Sequence, residues 1–237
     1  MNYQYSYLIG TLVLLIPWIF LFFWRRGSRK EMAIISILFG IAGLFVDPIY
    51  SMDWWKPLTL TNTLPGVESF LFGFSVGGIA SVVYSDFFNK KLIIRKKNNN
   101  KKNLNFLVIA VLLAGLFFGS YFILKLNSFY SSFPAFLIPL IVIFIRRKDL
   151  ILDSLFSGIS LMIISFLFYV IPEMITPGWI ESTWNFNMIS GITIFKVPIE
   201  DLIWFFIAGL LIGPLYEYWQ EGRLINVKEQ IHRKKRR

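Results

Sequence analysis

The 237-residue chain contains no cysteine and only one histidine, and both scarcities restrict its chemistry. Without cysteine it has no disulfide, no thiolate metal site and no cysteine nucleophile. The histidine, His232, lies in a charged tail, which excludes histidine catalysis and histidine metal ligation in the apolar body of the chain. Acidic residues are also few, 14 against 24 lysines and arginines. Carboxyl groups are therefore the main candidates for proton chemistry.

Apolar residues are abundant and occur in long unbroken runs. They make up 56% of the chain, which has 25 phenylalanines and 8 tryptophans. A bilayer-spanning helix needs about 20 apolar residues. Seven segments fit this description: Gln4–Trp24, Met32–Tyr50, Gly66–Phe88, Leu104–Lys125, Tyr130–Ile145, Ile151–Pro172 and Ile199–Tyr218. The fifth is short and contains Pro134 and Pro139. The sequence predicts an all-α integral membrane protein with seven transmembrane helices.

The basic residues predict the orientation of these helices. If all seven segments span, nearly every lysine and arginine falls on one side, and only Lys56, Lys125 and Lys196 fall on the other. Cytoplasmic loops are the loops enriched in lysine and arginine. We therefore expect a multi-pass protein of the cell membrane with its N-terminus outside and its C-terminus inside. The basic loops are candidate contacts for anionic lipid, and this placement of charge argues against nucleic acid as a partner.

The segments suggest two similar units. Residues 1–97 and 130–220 each hold three segments, residues 98–129 hold a linker and the fourth segment, and residues 221–237 form a basic tail. The extra helix makes the two three-helix repeats parallel, and repeats of this kind place a site at their interface. Pairing Glu68 with Glu200 also pairs Phe72 with Trp204 and costs a one-residue slip at the proline. Pairing the preceding prolines instead sets Glu68 against Asp201, and the sequence leaves both alignments open.

Five acidic residues are predicted to lie at the same outer level of the membrane. They end the second and sixth segments or begin the third and seventh: Asp47, Glu68, Glu173, Glu200 and Asp201. A charge at membrane depth is costly, so it is rarely present without a function. Burial favours the neutral acid, whereas a helix N-terminus favours the anion. If burial dominates, one member of the adjacent pair is protonated and can act as an acid; the alternative is a helix-start acid at the lipid interface.

Tryptophans are concentrated in the two outer loops. Trp54 and Trp55 follow the second segment, and Trp184 and Phe186 precede the seventh. Tryptophan belts are common at membrane interfaces, and this is the simpler interpretation of any single one. Aromatic faces also stabilise cations, which would suit a carbocation intermediate close to the acids.

Two motifs carry a resemblance to a known family. The run Pro198–Phe206, PIEDLIWFF, resembles the P-[LI]-E-[ED]-x-x-x-F-[FW] signature of the membrane lycopene cyclase domain, and Trp184–Asn187 with Ser190–Ile192 matches the pattern that precedes it. Fused members of that family have two tandem repeats and about this length, so the resemblance covers nearly the whole chain. The first repeat departs from the pattern, because Pro65–Ser69 contains one acid where the family usually has two.

The resemblance implies acid-catalysed, non-redox closure of a β-type ring at the end of a linear carotenoid. Glu200 or Asp201 would be the acid, and Glu68 or Asp47 the base or its partner, with Glu173 at the same level. The wall that binds the substrate and tolerates the cation would contain aromatic residues: Trp54, Trp55, Phe72, Trp184, Phe186, Trp204 and Phe205. No cofactor or metal is expected, since no G-x-G-x-x-G fingerprint is present. Partners would be the carotenoid, a second copy of the chain or other carotenoid-pathway enzymes.

Two alternatives remain at this stage. The same repeats could form a non-enzymatic carrier of isoprenoids or lipids, with the acids binding or gating. Alternatively, Asp149 and Asp153 form a D-x-x-x-D pattern that could hold magnesium in a membrane prenyltransferase. A simpler interpretation of these two aspartates is that they begin a helix.

Overall fold

A computed structural model describes residues 3–94 and 99–226, with the backbone alone described for residues 99–103. The predicted basic tail from residue 227 onward, including His232, and part of the predicted linker lie outside the described residues.

The described chain is mainly helical. Its helices, named in chain order, are α1 (Ser6–Trp24), α2 (Arg29–Asp53), α3 (Val67–Phe87), α4 (Asn99–Phe118), α5 (Ser128–Arg146), α6 (Ile151–Ile175), α7 (Trp179–Thr183), α8 (Ile199–Ile212) and α9 (Leu215–Gln220). A π-helix, Gly119–Ile123, continues α4, and a 3₁₀ turn, Lys148–Leu150, precedes α6. Four short strands are β1 (Lys90–Ile93), β2 (Thr193–Ile194), β3 (Val197–Pro198) and β4 (Arg223–Asn226).

Seven helical segments in the described part of the chain are long and apolar enough to cross a membrane, as the sequence predicts. The last of them consists of α8 and α9. Helices α2 and α6 continue beyond the predicted ends at Tyr50 and Pro172, to Asp53 and Ile175, with Pro48 and Pro172 inside them. Proline is tolerated inside membrane helices because neighbouring groups satisfy the freed backbone.

Helix α3 occupies the centre of the bundle, where it packs against α1, α2, α6 and α8. Glycines permit the closest crossings. A Cβ atom added at Gly209 on α8 would lie 2.7 Å from Gly158 Cα on α6 and 2.8 Å from the Ser157 carbonyl oxygen. Small residues let membrane helices approach each other in this way. On the other side of α3, Gly73 lies directly against the Phe39 carbonyl of α2.

We expect Gly209→Val to destabilise the bundle, because the new side chain would collide with the backbone of α6. Overpacking of a filled interior costs about 1–3 kcal/mol. The measurement is the unfolding temperature of the detergent-purified protein. Gly115→Val is the matched control, since a Cβ at Gly115 meets no atom within 4 Å. Equal unfolding temperatures for the two variants would contradict the close α6–α8 crossing.

The basic loops gather at one end of the bundle, here called the basic end. Strands β1 and β4 pair antiparallel, which brings the ends of α3 and α9 together. Arg25 donates to the carbonyl oxygens of Ser85 and Asp86 at 3.1 and 3.2 Å, and Arg147 donates to the carbonyl oxygen of Gly222 at 2.8 Å. The connections after α1, α3, α5 and α9 therefore meet at one end, as an arrangement of seven spans requires.

The two tryptophan-bearing loops pair at the opposite end, here called the paired-loop end. The Lys56 amide donates to the Thr183 carbonyl at 2.8 Å, and the Asn185 amide donates to the Trp54 carbonyl at 2.9 Å. These bonds form an antiparallel bridge between Trp55 and Trp184. Segments far apart in sequence thus form one cover over the helices below.

Candidate functional site

A cavity of about 350 Å³ lies at the paired-loop end, between α2, α3, α8 and the neighbouring α4 and α5. Its wall is almost entirely apolar and aromatic. Six lining residues carry a hydroxyl or carboxyl group: Tyr7, Asp47, Tyr50, Ser69, Tyr169 and Asp201. Two of the five predicted acids, Asp47 and Asp201, therefore meet in one space.

Asp201 reaches the cavity from the first turn of α8 and is 5% exposed. The Tyr169 hydroxyl of α6 donates to its Oδ1 at 2.8 Å. No described donor meets the full geometry of a hydrogen bond to its Oδ2, although the indole N–H groups of Trp54 and Trp184 contribute hydrogen-bonding interactions to the carboxyl group. Asp201 is thus a buried acid with one oxygen held by a phenol and with indole N–H groups as its further donors.

Asp47 reaches the same cavity from α2 and is also 5% exposed. Its Oδ2 accepts hydrogen bonds from the Ser69 hydroxyl at 2.5 Å and from the Tyr7 hydroxyl at 3.3 Å. Ser69 in turn accepts the Gly66 amide at 3.1 Å, which fixes its hydroxyl at the start of α3. Asp47 is therefore held by two hydroxyl donors, whereas Asp201 is held by one.

Glu68 and Glu200 occupy similar positions at the starts of α3 and α8, and neither lines the cavity. Each is buried, and each turns one oxygen towards the loop before its helix. Glu68 accepts the Leu60 amide and Glu200 accepts the Ser190 amide, both at 2.7 Å. The two residues thus make the same kind of contact with the loop that precedes their helix.

Glu173 also lies outside the cavity wall. It accepts the amides of Gly178 and Ile180 at 3.0 and 3.1 Å, and the ammonium group of Lys196 at 3.0 Å. The adjacent carboxylate raises the pKa of Lys196 by hydrogen bonding. These contacts fix the connection between α6 and α7.

Aromatic side chains form most of the wall. Five of the seven predicted substrate-binding residues line the cavity: Trp54, Trp55, Phe72, Trp204 and Phe205. Trp184 lies behind this wall, with its ring 5.3 Å from Trp55 and 5.5 Å from Tyr169. Phe186 packs against the core and is not among the lining residues.

Hydrogen bonds between side chains of α8, α2 and α5 hold Trp204 in place. Its indole donates to the Tyr50 hydroxyl at 3.0 Å, and that hydroxyl also bonds the Ser132 hydroxyl at 3.0 Å. The face of Trp204 is thereby fixed 5.9 Å from the Phe72 ring, measured between ring centres.

Comparison with protein families gives one match. The family model described as lycopene cyclase matches residues 127–219, from the residue before α5 to the penultimate residue of α9. This segment is therefore similar to the lycopene cyclase domain. No curated protein and no solved structure matches the chain.

The matched segment contains Asp201, Tyr169 and Trp204, whereas Asp47 and Tyr7 lie in the N-terminal part that the family model does not match. The match supports a carotenoid cyclase function in general terms. Together with seven apolar helices it indicates a multi-pass membrane protein.

The sequence interpretation missed the hydroxyl groups beside the acids. Tyr7, Tyr169 and Ser69 each donate to one of the two cavity aspartates. These donors could have been suspected from the positions of Tyr7 and Tyr169, because each places a hydroxyl group inside an apolar run, where an unpaired polar group is costly. Their partners lie 40 and 32 residues away along the chain, so the sequence did not indicate which groups they meet.

The aspartates of the D-x-x-x-D pattern lie at the basic end, away from the cavity. Asp149 accepts two hydrogen bonds from Arg147 at 2.7 and 2.8 Å, whereas Asp153 is buried and accepts a bond from Ser157 at 3.3 Å. No group of three or more histidines, aspartates or glutamates within residues 3–94 and 99–226 is arranged to hold a metal ion. The described residues therefore give no support to the magnesium-dependent alternative.

Proposed function

We propose that the protein is an intramembrane carotenoid cyclase that closes a β-type ring at the end of a linear carotenoid by acid catalysis, without redox change. One observation carries the proposal: Asp47 and Asp201, two buried carboxyl groups, line the same apolar cavity. Such a reaction needs one group that gives a proton and another that removes one. The lycopene cyclase domain supplies Asp201 and agrees with this substrate class.

Asp201 is the proposed acid. Transferring a carboxylate out of water is costly, so a buried carboxyl group without a cationic partner favours its neutral form. Oδ2, which no hydroxyl group of the described residues occupies, can then carry the proton, while Oδ1 accepts from Tyr169. Protonation of the terminal double bond of the substrate gives a tertiary cation. A second double bond attacks that cation, and the new carbon–carbon bond closes the six-membered ring.

Asp47 is the proposed base. Hydrogen bonds donated to a carboxylate stabilise its charged form, and Asp47 accepts two, from Ser69 and Tyr7. The ring cation loses a proton to Asp47, and this loss forms the ring double bond. One proton enters the substrate and one leaves, so the reaction is an isomerisation. The proton then returns to Asp201 before the next turnover.

The aromatic wall supports a cationic intermediate. Cations are attracted to aromatic faces, most strongly to tryptophan, and the cavity presents Trp54, Trp55 and Trp204. The apolar lining also keeps water away, which matters because water would trap the cation as an alcohol. Glu68, Glu200 and Glu173 are assigned a different task, that of holding the loops which cover the cavity.

The proposal extends to the tandem repeats. Residues 1–97 supply Asp47 and Tyr7, and residues 130–220 supply Asp201 and Tyr169. The similar roles of Glu68 and Glu200 at the helix starts support the repeat, and the shared cavity then lies at the repeat interface. On this basis one chain provides both the acid and the base, in a cell-membrane protein with its N-terminus outside.

Co-expression in a lycopene-accumulating host tests the function. We expect the pigment to shift from red to orange, because the double bond of the new ring is twisted out of the plane of the polyene and conjugates less well. Chromatography should show cyclic carotenoids. Membranes of the same host without the gene are the control. Magnesium chelation should leave the activity unchanged. Unchanged lycopene at verified expression would overturn the proposal, and it is the result that a lipid carrier would give.

A further inference from the structure

The cavity wall is incomplete on one side, between α2 and α4. Phe45 on α2 and Phe118 on α4 line the cavity, yet they are 68% and 37% exposed, and Ala114 of α4 also lines it and is exposed. Helix α4 packs mainly against α5 and α9, and α2 is not among its main neighbours. A gap between α2 and α4 therefore connects the cavity with the surface that lipid would cover.

Contacts at the paired-loop end bound this gap, here called the mouth. The Tyr121 hydroxyl donates to the Met52 sulfur at 3.5 Å and joins the end of α2 to the chain that follows α4. Tyr121 belongs to the π-helix Gly119–Ile123, and π-helical turns are frequent at functional sites. Ala42 of α2 and Leu113 and Ala114 of α4, which line the cavity on this side, are apolar.

The cavity is too small for a whole linear carotenoid. Its volume of about 350 Å³ is near the lower limit of ligand sites, which hold drug-sized molecules in roughly 300–1,000 Å³. A linear carotenoid has two end groups joined by a long polyene, so one end group fits beside the acids and the rest of the molecule must leave the cavity. The mouth is an apolar exit from it, and an apolar polyene needs no polar partner there.

We propose that the mouth between α2 and α4 is a lateral portal, through which one end group of the carotenoid enters from the bilayer while the polyene remains in lipid. This inference rests on the proposed cyclase function. Each binding event then closes one ring. To form a product with two rings, the one-ring carotenoid must be released and must bind again with its other end group in the cavity.

A bulky residue at the mouth tests the portal. We expect Ala114→Trp to lower kcat/KM for lycopene by about tenfold or more, with a smaller effect on kcat, because it obstructs entry and leaves the acids unchanged. Val111→Trp is the matched control. Val111 lies on the same helix, is 60% exposed and does not line the cavity, so its variant should stay close to the wild type. Equal kinetics for the two variants would overturn the portal.

A second measurement applies if Ala114→Trp does not fold. The chain has no cysteine, so Ala114→Cys and Val111→Cys each introduce a single thiol that can be modified after folding. Reaction of the purified, folded protein with N-phenylmaleimide, followed to completion by mass spectrometry, should inhibit the first variant and spare the second. Inhibition of both or of neither would contradict the portal.

The time course of an active wild type tests the binding of one end at a time. With lycopene in excess, we expect free one-ring carotenoid to accumulate before any two-ring product, or to be the final product. Two-ring product without a free one-ring intermediate would overturn the inference. An inactive wild type would overturn the cyclase proposal itself, so the two failures are distinguishable.

Discussion

Replacing Asp201 with asparagine should abolish ring closure. The amide has a similar shape and can still accept the Tyr169 hydrogen bond, but it has no acidic proton to give to the substrate. General acid catalysis contributes about 10²–10⁴-fold to a rate, and we expect a loss at the upper end because the lining of the cavity is almost entirely apolar and contains no histidine. The measurement is the initial rate of cyclic carotenoid formation by purified Asp201→Asn, compared at equal protein with the wild type.

The neighbouring residue provides a closely matched control. Glu200→Gln makes the same carboxyl-to-amide change one position earlier, and glutamine keeps a carbonyl oxygen that can accept the Ser190 amide. Because Glu200 does not line the cavity, this variant should cyclise lycopene at close to the wild-type rate. If Glu200→Gln were inactive and Asp201→Asn active, our assignment of the acid would be wrong.

The second large effect is expected for Asp47→Asn. The amide cannot accept a proton from the ring cation, so deprotonation must use a weaker or more distant base. We expect the rate to fall by about 10²-fold or more. We also expect the remaining product to contain a changed ratio of ring isomers, because the position of the base decides which proton the cation loses. Chromatographic separation of the isomers measures both effects in one experiment.

Glu68→Gln is the corresponding control for Asp47. Glu68 lies outside the cavity wall, and glutamine can still accept the Leu60 amide. We therefore expect the rate and the isomer ratio to be unchanged. A wild-type rate together with a wild-type isomer ratio in Asp47→Asn would exclude Asp47 as the base. If the roles were reversed, with Asp47 as the acid and Asp201 as the base, the changed isomer ratio would be expected in Asp201→Asn instead.

In the proposed pairing of the two repeats, Ser69 takes the position of Asp201, because Ser69 follows Glu68 at the start of α3 as Asp201 follows Glu200 at the start of α8. Ser69 directs its hydroxyl to Asp47 on the adjacent helix α2. In this pairing, the second carboxyl group that the first motif lacks is supplied by another helix.

The sequence by itself determined the general architecture. Runs of apolar residues long enough to span a bilayer predict the seven helices, because the membrane leaves few other structures for such segments. The alternation of basic and acid-bearing connections predicted that the five acids share one level. The motif at Pro198–Phe206 indicated the family, since it combines rare intramembrane acids with aromatic residues at fixed spacing.

Only the tertiary structure decided which acids meet. Neighbouring residues on a helix point about 100° apart, so the choice between Glu200 and Asp201 depends on the rotation of α8, which its packing against α6 fixes. Asp47 and Tyr7 come from α2 and α1, and no local pattern specifies that they reach the cavity. The spacing of residues along one helix follows from the local sequence. Which residues of different helices approach each other depends on how all the apolar faces pack together, and this packing is a property of the complete bundle.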